Sequence, residues 1–510
     1  MAEFCVAHET DLSLGEMKQV QAGNTPVLLV RLEDRFHAVG ALCTHYEAPL
    51  AAGALCDDRV ICPWHHACFN VRNGEQNEPP GLDPLPVYPV RVDAGEVWVE
   101  IPAEHPPPPP RGVCVSERKS CVVIGAGCGG AYAVEALRHH GFDGRIVWIS
   151  GDEFPPIDRP LLSKGYLSGE SSEQWLPLRE PAFYDALEIS LEKGSKVTSL
   201  EAKSKTLTLD DGRVMGYDSA ILATGAVARP LVVPGSDLEG IFNLHSLQDC
   251  ERLRKAVATA HKAVVVGSGF IGMEVAQSLR KRGIAVTVAG PGTVPFEKVL
   301  GPGIGALIQR IHEQEGVSFQ LGQTVTGFEG DGKVRQVRLQ DGTLLEADLV
   351  VVGIGVQPAT GFVNGIARER DGSLLVDETL RVSEGLYAIG DLARFPDWRS
   401  GIPIRVEHWR VAAQHGRIAG ANVAGRRLAY RGVPYFWTRQ FGVTLHYIGH
   451  AEGWDEIHID GELEKRSFIA YYLKDDKVHA VAGMEKEREL AELEERIRGH
   501  GLFSVPHNSM

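Results

Sequence analysis

The sequence predicts a multidomain protein: an all-β module, then two doubly wound α/β units, then a small α+β unit. Three observations carry this reading. Short alternating strands fill residues 1–103; a strand, glycine loop and helix follow one another twice beyond them; and from Val433 onward strand-like runs lead into one charged helical segment. A chain of 510 residues is also too long for one core, since single cores stop growing at roughly 250–300 residues.

The all-β expectation rests on runs such as Pro26-Val-Leu-Leu-Val-Arg-Leu and Glu96-Val-Trp-Val-Glu-Ile, bounded by Gly, Asp and Pro turns. The proline run at 106–110, with Arg111 and Gly112 after it, favours extended polyproline II and acts as a semi-rigid spacer. Beyond it, Cys121-Val-Val-Ile-Gly-Ala-Gly and His261-Lys-Ala-Val-Val-Val-Gly-Ser-Gly each open a helix with one apolar face, which implies two Rossmann-like units. Ser467-Phe-Ile-Ala-Tyr-Tyr-Leu and the helical segment 485–498 make the α+β end. The expected partition is module 1–103, linker 104–116, first α/β unit 117–247 and 368–432, second α/β unit 248–367, and C-terminal unit 433–510.

Within the module, Cys43-Thr-His45 and Cys62-Pro-Trp-His65 stand sixteen residues apart and supply two thiolates and two imidazoles. Two sulfur ligands on one iron and two neutral histidines on the other are what a Rieske [2Fe–2S] centre requires. Zinc, the alternative metal, usually takes one close Cys pair and one close His pair; here each loop mixes the two types. The module resembles Rieske ferredoxins. High-potential Rieske proteins carry a disulfide-forming cysteine in each loop, where this chain has Ala48 and Trp64, and hydroxyl donors near the sulfurs, where 66–69 has none. A potential near the lower Rieske limit, about −150 mV, is therefore expected. Cys56 and Cys68 read as small packing residues.

Gly125-Ala-Gly127-Cys-Gly-Gly130 follows a strand and starts a helix, so its backbone can approach a pyrophosphate at the helix N-terminus. The motif recurs as Gly267-Ser-Gly269-Phe-Ile-Gly272, with Ala223-Thr224-Gly225 and Tyr387-Ala-Ile-Gly390-Asp391 completing a two-dinucleotide pattern. With that pattern the chain resembles the pyridine-nucleotide-dependent flavoprotein reductases. The resemblance implies FAD on the first loop, NADH or NADPH on the second, Gly355 among the binding glycines, and Asp391 at the flavin ribityl chain.

Pro156-Ile-Asp-Arg159-Pro-Leu-Leu-Ser163-Lys164, Phe270-Ile-Gly-Met-Glu274, Glu407-His408-Trp409 and Phe436-Trp437 are similar to ferredoxin reductases of oxygenase systems. A Rieske module fused to such a reductase resembles the apoptosis-inducing factor-like family. The likeness implies Arg159 along FAD, Lys164 paired with Glu274 beside the flavin and nicotinamide as the catalytic pair, and Glu407, His408, Trp409 and Trp437 at the flavin edge. Two positions depart from the pattern. Gly151 stands where a ribose-binding acid is expected, with Asp152 or Glu153 as substitutes, and the second unit ends its strand at Gly290-Pro291, with neither the acid that favours NADH nor an Arg for NADPH.

Dithiol chemistry is disfavoured, because no cysteine lies between Cys128 and Cys250. A net charge of −15 argues against nucleic acid. No apolar run reaches the length of a membrane span, the acidic start of the chain is unlike a targeting peptide, and a cytoplasmic location is expected. What remains is an NAD(P)H:ferredoxin-type reductase passing electrons through FAD to its own cluster and on to an oxygenase, cytochrome or other acceptor protein. The alternative is an NADH-responsive signalling flavoprotein with slow turnover. The resemblance leaves a homodimer open.

Overall fold

The computed structural model describes residues 2–103 and 116–505, so the spacer expected at 104–116 lies, apart from Ser116, outside the described residues. The N-terminal module is built from three antiparallel sheets. The first alternating run is the strand Thr25–Arg31, paired with Met17–Ala22 and with Phe36–Gly40. The strand Glu96–Ile101 pairs with Ala2–His8. With period two, Leu28 and Val30 enter one small core while Val27 and Leu29 enter another. The third sheet joins Ala54–Cys56, Arg59–Ile61, Cys68–Asn70 and Gln76–Glu78. Its loop over residues 62–67 lies beside the loop that follows Phe36–Gly40, and these two loops carry Cys62, His65, Cys43 and His45.

Two largely parallel sheets come next. One has the spatial order Ile189–Glu192, Gly144–Ile149, Ser116–Ile124, Ser219–Leu222, Leu386–Ala388 and Arg381–Ser383. Its last two strands come from far along the chain, so this sheet is completed after the second one has been inserted. The second has the order Ile241–Phe242, Leu349–Val352, Lys262–Val266, Ala285–Gly290 and Val317–Leu321. Strand centres such as Val122-Val-Ile and Val264-Val-Val are apolar throughout because both faces are covered.

Helices Cys128–His139 and Trp409–Val423 run side by side with their N-termini together. Gly416 and Gly420 permit this, since a side chain at either would strike the carbonyl of Gly129 or Ala133. The packing holds Trp409 at the mouth of the first glycine loop, where Cys128 Sγ lies 3.6 Å from its carbonyl oxygen. The C-terminal residues form a five-stranded antiparallel sheet backed by helix Glu487–His500, the expected α+β unit. Among the described residues no helix is long and apolar enough to cross a membrane.

Candidate functional site

The two parallel sheets and the C-terminal sheet surround a cavity of about 1190 Å3. Both glycine loops border it. Gly125 and Gly267 hold φ of 107° and 110°, and a Cβ at Gly125, Gly130, Gly267 or Gly272 would strike a backbone carbonyl; these four let the loops fold. Gly127 and Gly269 differ, because a Cβ there would meet nothing within 4 Å. Each is the N-cap of a twelve-residue helix and has no side-chain cap. A bare cradle at the positive end of a helix fits a pyrophosphate, and each unit has one. The residues present therefore fit two dinucleotides.

Arg159, Lys164, Thr224, Gly225, Glu274, Gly355, Gly390, Asp391, Glu407, His408, Trp409 and Trp437 all line this same cavity. Burial, aided by the nearby Glu407, pushes the Asp391 carboxyl up to about 6. His408 caps the helix that begins at Trp409 by accepting from the Arg410 N–H at 3.3 Å, and burial pushes its imidazole down to about 3. Trp409 Nε1 is buried without an acceptor among the described residues, a donor that a bound group could use. At the strand end lacking a ribose acid, Asp152 lines the cavity 3.6 Å from Arg159 Nη2, whereas Glu153 packs against Gly194.

Lys164 Nζ donates to Glu274 Oε2 at 2.9 Å. Glu274 is also held by Ser163 Oγ at 2.6 Å and by Thr438 Oγ1 at 2.8 Å on its other oxygen. The carboxylate is 4% exposed but the lysine is 21% exposed, so Lys164 is half-open to the cavity. A cation fixed in this way can stabilise negative charge that develops on a bound ring.

The two cysteine–histidine loops bring like ligands together. The Cys43 and Cys62 thiols hydrogen-bond one another, which pushes Cys43 up and Cys62 down. His45 Nδ1 and His65 Nδ1 lie 3.1 Å apart. Sulfur faces sulfur and nitrogen faces nitrogen, the sorting that a pair of irons with unlike ligands needs. Burial pushes the His45 imidazole down to about 3, toward the neutral form that ligates metal. The donor set fits a [2Fe–2S] cluster. Cys68 is buried in its strand and Cys56 half-buried.

The histidine tip is pressed against the reductase. The His65 ring centroid is 4.3 Å from that of Trp437, and the His45 centroid is 6.5 Å from that of Trp409. Tyr46 donates to Asp158 Oδ2 at 2.6 Å, and the same oxygen lies 3.9 Å from His45 Nε2. Sequence reasoning missed Asp158, although it sits inside the quoted segment before Arg159. It also missed a buried polar knot behind the tip. Glu494 accepts from His66 Nδ1 at 2.7 Å, Arg410 Nη2 at 2.9 Å and Arg498 Nη2 at 2.9 Å. Arg498 also reaches Glu78 at 2.6 Å, and Gln414 reaches it at 2.7 Å. Three parts of the chain far apart in sequence meet there.

Fold and site together define a two-dinucleotide oxidoreductase that carries its own iron–sulfur module. Residues 119–416 match the pyridine nucleotide-disulphide oxidoreductase family, residues 2–89 the Rieske [2Fe-2S] domain, and residues 435–500 the reductase C-terminal family. The chain belongs to the pyridine nucleotide-disulphide oxidoreductases, as a ferredoxin reductase-type member with a Rieske domain; its cofactors are FAD and a [2Fe–2S] cluster, with NADH as substrate. It is 35% identical to apoptosis-inducing factor 3 of Homo sapiens over 497 residues, 94% of this chain and 82% of that protein. It is 33% identical to putidaredoxin reductase CamA of Pseudomonas putida, covering 71% of this chain and 87% of that one. The solved covalent complex of putidaredoxin reductase with putidaredoxin matches with a TM-score of 0.71 at 31% identity, over 75% of this chain and 93% of that one.

Proposed function

We propose that this chain passes electrons from NADH through FAD to its own Rieske cluster and on to an acceptor protein of the oxygenase or cytochrome kind. FAD supplies the conversion of a two-electron hydride transfer into single-electron steps that the cluster can carry. The chain's residues do the rest. The helix ends at Gly127 and Gly269 hold the pyrophosphates, and Arg159, Thr224 and Asp391 fix the flavin nucleotide. Lys164, oriented by Glu274, offers positive charge to the reduced ring. Cys43 with Cys62 and His45 with His65 hold the two irons. The partition given by the sequence, with the first α/β unit split around the second, is the one we assign.

One observation carries the reading: His65 packs on Trp437 at 4.3 Å, and Trp437 also lines the cavity that fits the flavin. Trp437 would thus stand between the cluster ligands and a flavin bound in that cavity, and electron tunnelling falls steeply with distance. Tethering on one chain removes any wait for diffusion. Anaerobic stopped-flow mixing with NADH should bleach the flavin and then the cluster, with the cluster's EPR signal appearing within one turnover. Full flavin reduction with a cluster that stays oxidised would overturn the proposal. Similarity to apoptosis-inducing factor 3 across nearly the whole chain favours a second reading, an NADH-responsive signalling protein. That reading requires an NADH-dependent change of oligomeric state and cluster reduction too slow for turnover.

A further inference from the structure

The two ligand histidines share Tyr46, whose ring centroid is 3.9 Å from that of His45 and 6.0 Å from that of His65, but their nearest aromatic neighbours differ. His65 meets Trp437 on the cavity side. His45 meets Tyr46, with ring centroids 3.9 Å apart, and Tyr46 in turn meets Trp175 at 6.0 Å. Trp175 closes the short turn Glu173–Trp175 of the reductase and is 58% exposed. Tyr46 is anchored between them by its hydrogen bond to Asp158, so the ladder from ligand to solvent is fixed. The histidine edge itself is closed to another protein, since the His45 side chain is 8% exposed and His65 lies under Trp437. Electrons leaving the docked module need another way out, and this ladder runs from the cluster to the surface.

Building on the electron path proposed above, we infer that the rim made by Tyr46 and Trp175 is the docking and exit surface for the acceptor: a one-electron redox protein whose centre is ringed by Lys and Arg. Electrons would come in at His65 and leave at His45. The charge supports the partner's chemistry. Glu47 adjoins Tyr46 and Glu173 opens the turn that Trp175 closes; both are exposed, neither is in an ion pair among the described residues, and the chain carries a net charge of −15. An aromatic centre inside a charged rim is the usual anatomy of a transient interface, where rim charges steer encounter. The electrons balance. One NADH yields NAD+, one proton and two electrons, which pass singly and reduce two oxidised acceptors.

The test uses the full-length holoprotein with a basic cytochrome c as probe. Trp175→Ala and the pair Glu47→Lys with Glu173→Lys are compared with wild type in three readouts: cluster reduction by NADH in stopped flow, binding of redox-inert zinc-substituted cytochrome c by calorimetry, and salt dependence of cytochrome reduction. Both variants should reduce the cluster at the wild-type rate. Trp175→Ala should weaken binding and kcat/KM for the cytochrome about tenfold, and the charge reversal should remove the fall in rate with added salt. Wild-type binding and reduction in both variants, or a wild type that does not bind the probe, would overturn the exit surface. A wild-type cluster that NADH never reduces would instead overturn the electron path beneath it.

Discussion

The Rieske module grips the reductase through two adjoining patches of opposite chemistry. At the tip, His45 and His65 touch Tyr46, Trp409 and Trp437, an aromatic contact with one carboxylate, Asp158, at its edge. Just behind it, Glu494 and Arg410 are buried together with His66, and the part-exposed Glu78 and Arg498 close the group. Charges in a low-dielectric interior demand specific partners in specific directions, whereas aromatic faces tolerate sliding. The difference assigns labour: the charged knot fixes where the module sits, and the aromatic patch conducts.

The sharpest way to break that division is Arg410→Met. Arg410 is fully buried and donates to Glu494 and to the His66 carbonyl at 2.9 and 3.2 Å. Its loss leaves Glu494 with fewer partners, and removing one member of a buried ionic group costs about 3–5 kcal/mol. Chemical denaturation should show that loss, and NADH should still bleach the flavin while cluster reduction slows as the module lifts. Adding Glu494→Leu should recover much of the stability, because an apolar pair replaces the charges. An unchanged denaturation midpoint in Arg410→Met would remove the knot from the account.

A second ion pair, buried on its carboxylate side alone, sharpens the comparison by behaving differently. Lys164 and Glu274 face the cavity, so Lys164→Met should cost catalysis more than stability. Removing a fixed charge aimed at developing negative charge typically slows the chemical step about a hundredfold. Flavin bleaching by NADH should slow to that extent, with the denaturation midpoint little changed. Trp437→Leu should do the reverse in sequence of events: bleaching by NADH at the wild-type rate, then flavin-to-cluster transfer slowed about tenfold by lost positioning. If bleaching itself slowed in Trp437→Leu, the indole would belong to the nicotinamide side instead.

The conducting patch was far more legible in the sequence than the fixing one. Glycine loops, Cys-x-His and Cys-x-x-His pairs and the Lys164 and Glu274 segments are local patterns, since backbone approach and metal ligation demand certain residues at short spacings. The knot joins Glu78, Arg410 and Glu494, of which even the nearest two in sequence stand 84 positions apart, and no local pattern announces it. A trace was there. In helix Glu487–His500 the buried positions are Leu490, Ala491, Glu494 and Ile497, so Glu494 occupies the apolar stripe. In a segment marked in the sequence by its charge and helical period, one more glutamate does not stand out. Asp158 escaped for a related reason: it looked like part of a flavin loop, and its Tyr46 partner lies more than a hundred residues earlier.

The smallest expected effect separates the patches by pH. Burial works to raise the Glu494 carboxyl, but Arg410, His66 and Arg498 outweigh it and hold the group well below the usual carboxylate range. A carboxyl depressed in the folded state contributes stability that is present in full above its unfolded pKa of about 4.3 and is lost as pH falls through the folded value. Docking should therefore be level between about pH 5 and 8 and weaken only in stronger acid. The Glu494→Leu, Arg410→Met variant should lose that acid-side slope while keeping the aromatic contact. Module release followed by small-angle scattering across pH 3–7 checks this, and an unchanged slope in the double variant would place the acid-sensitive group outside the knot.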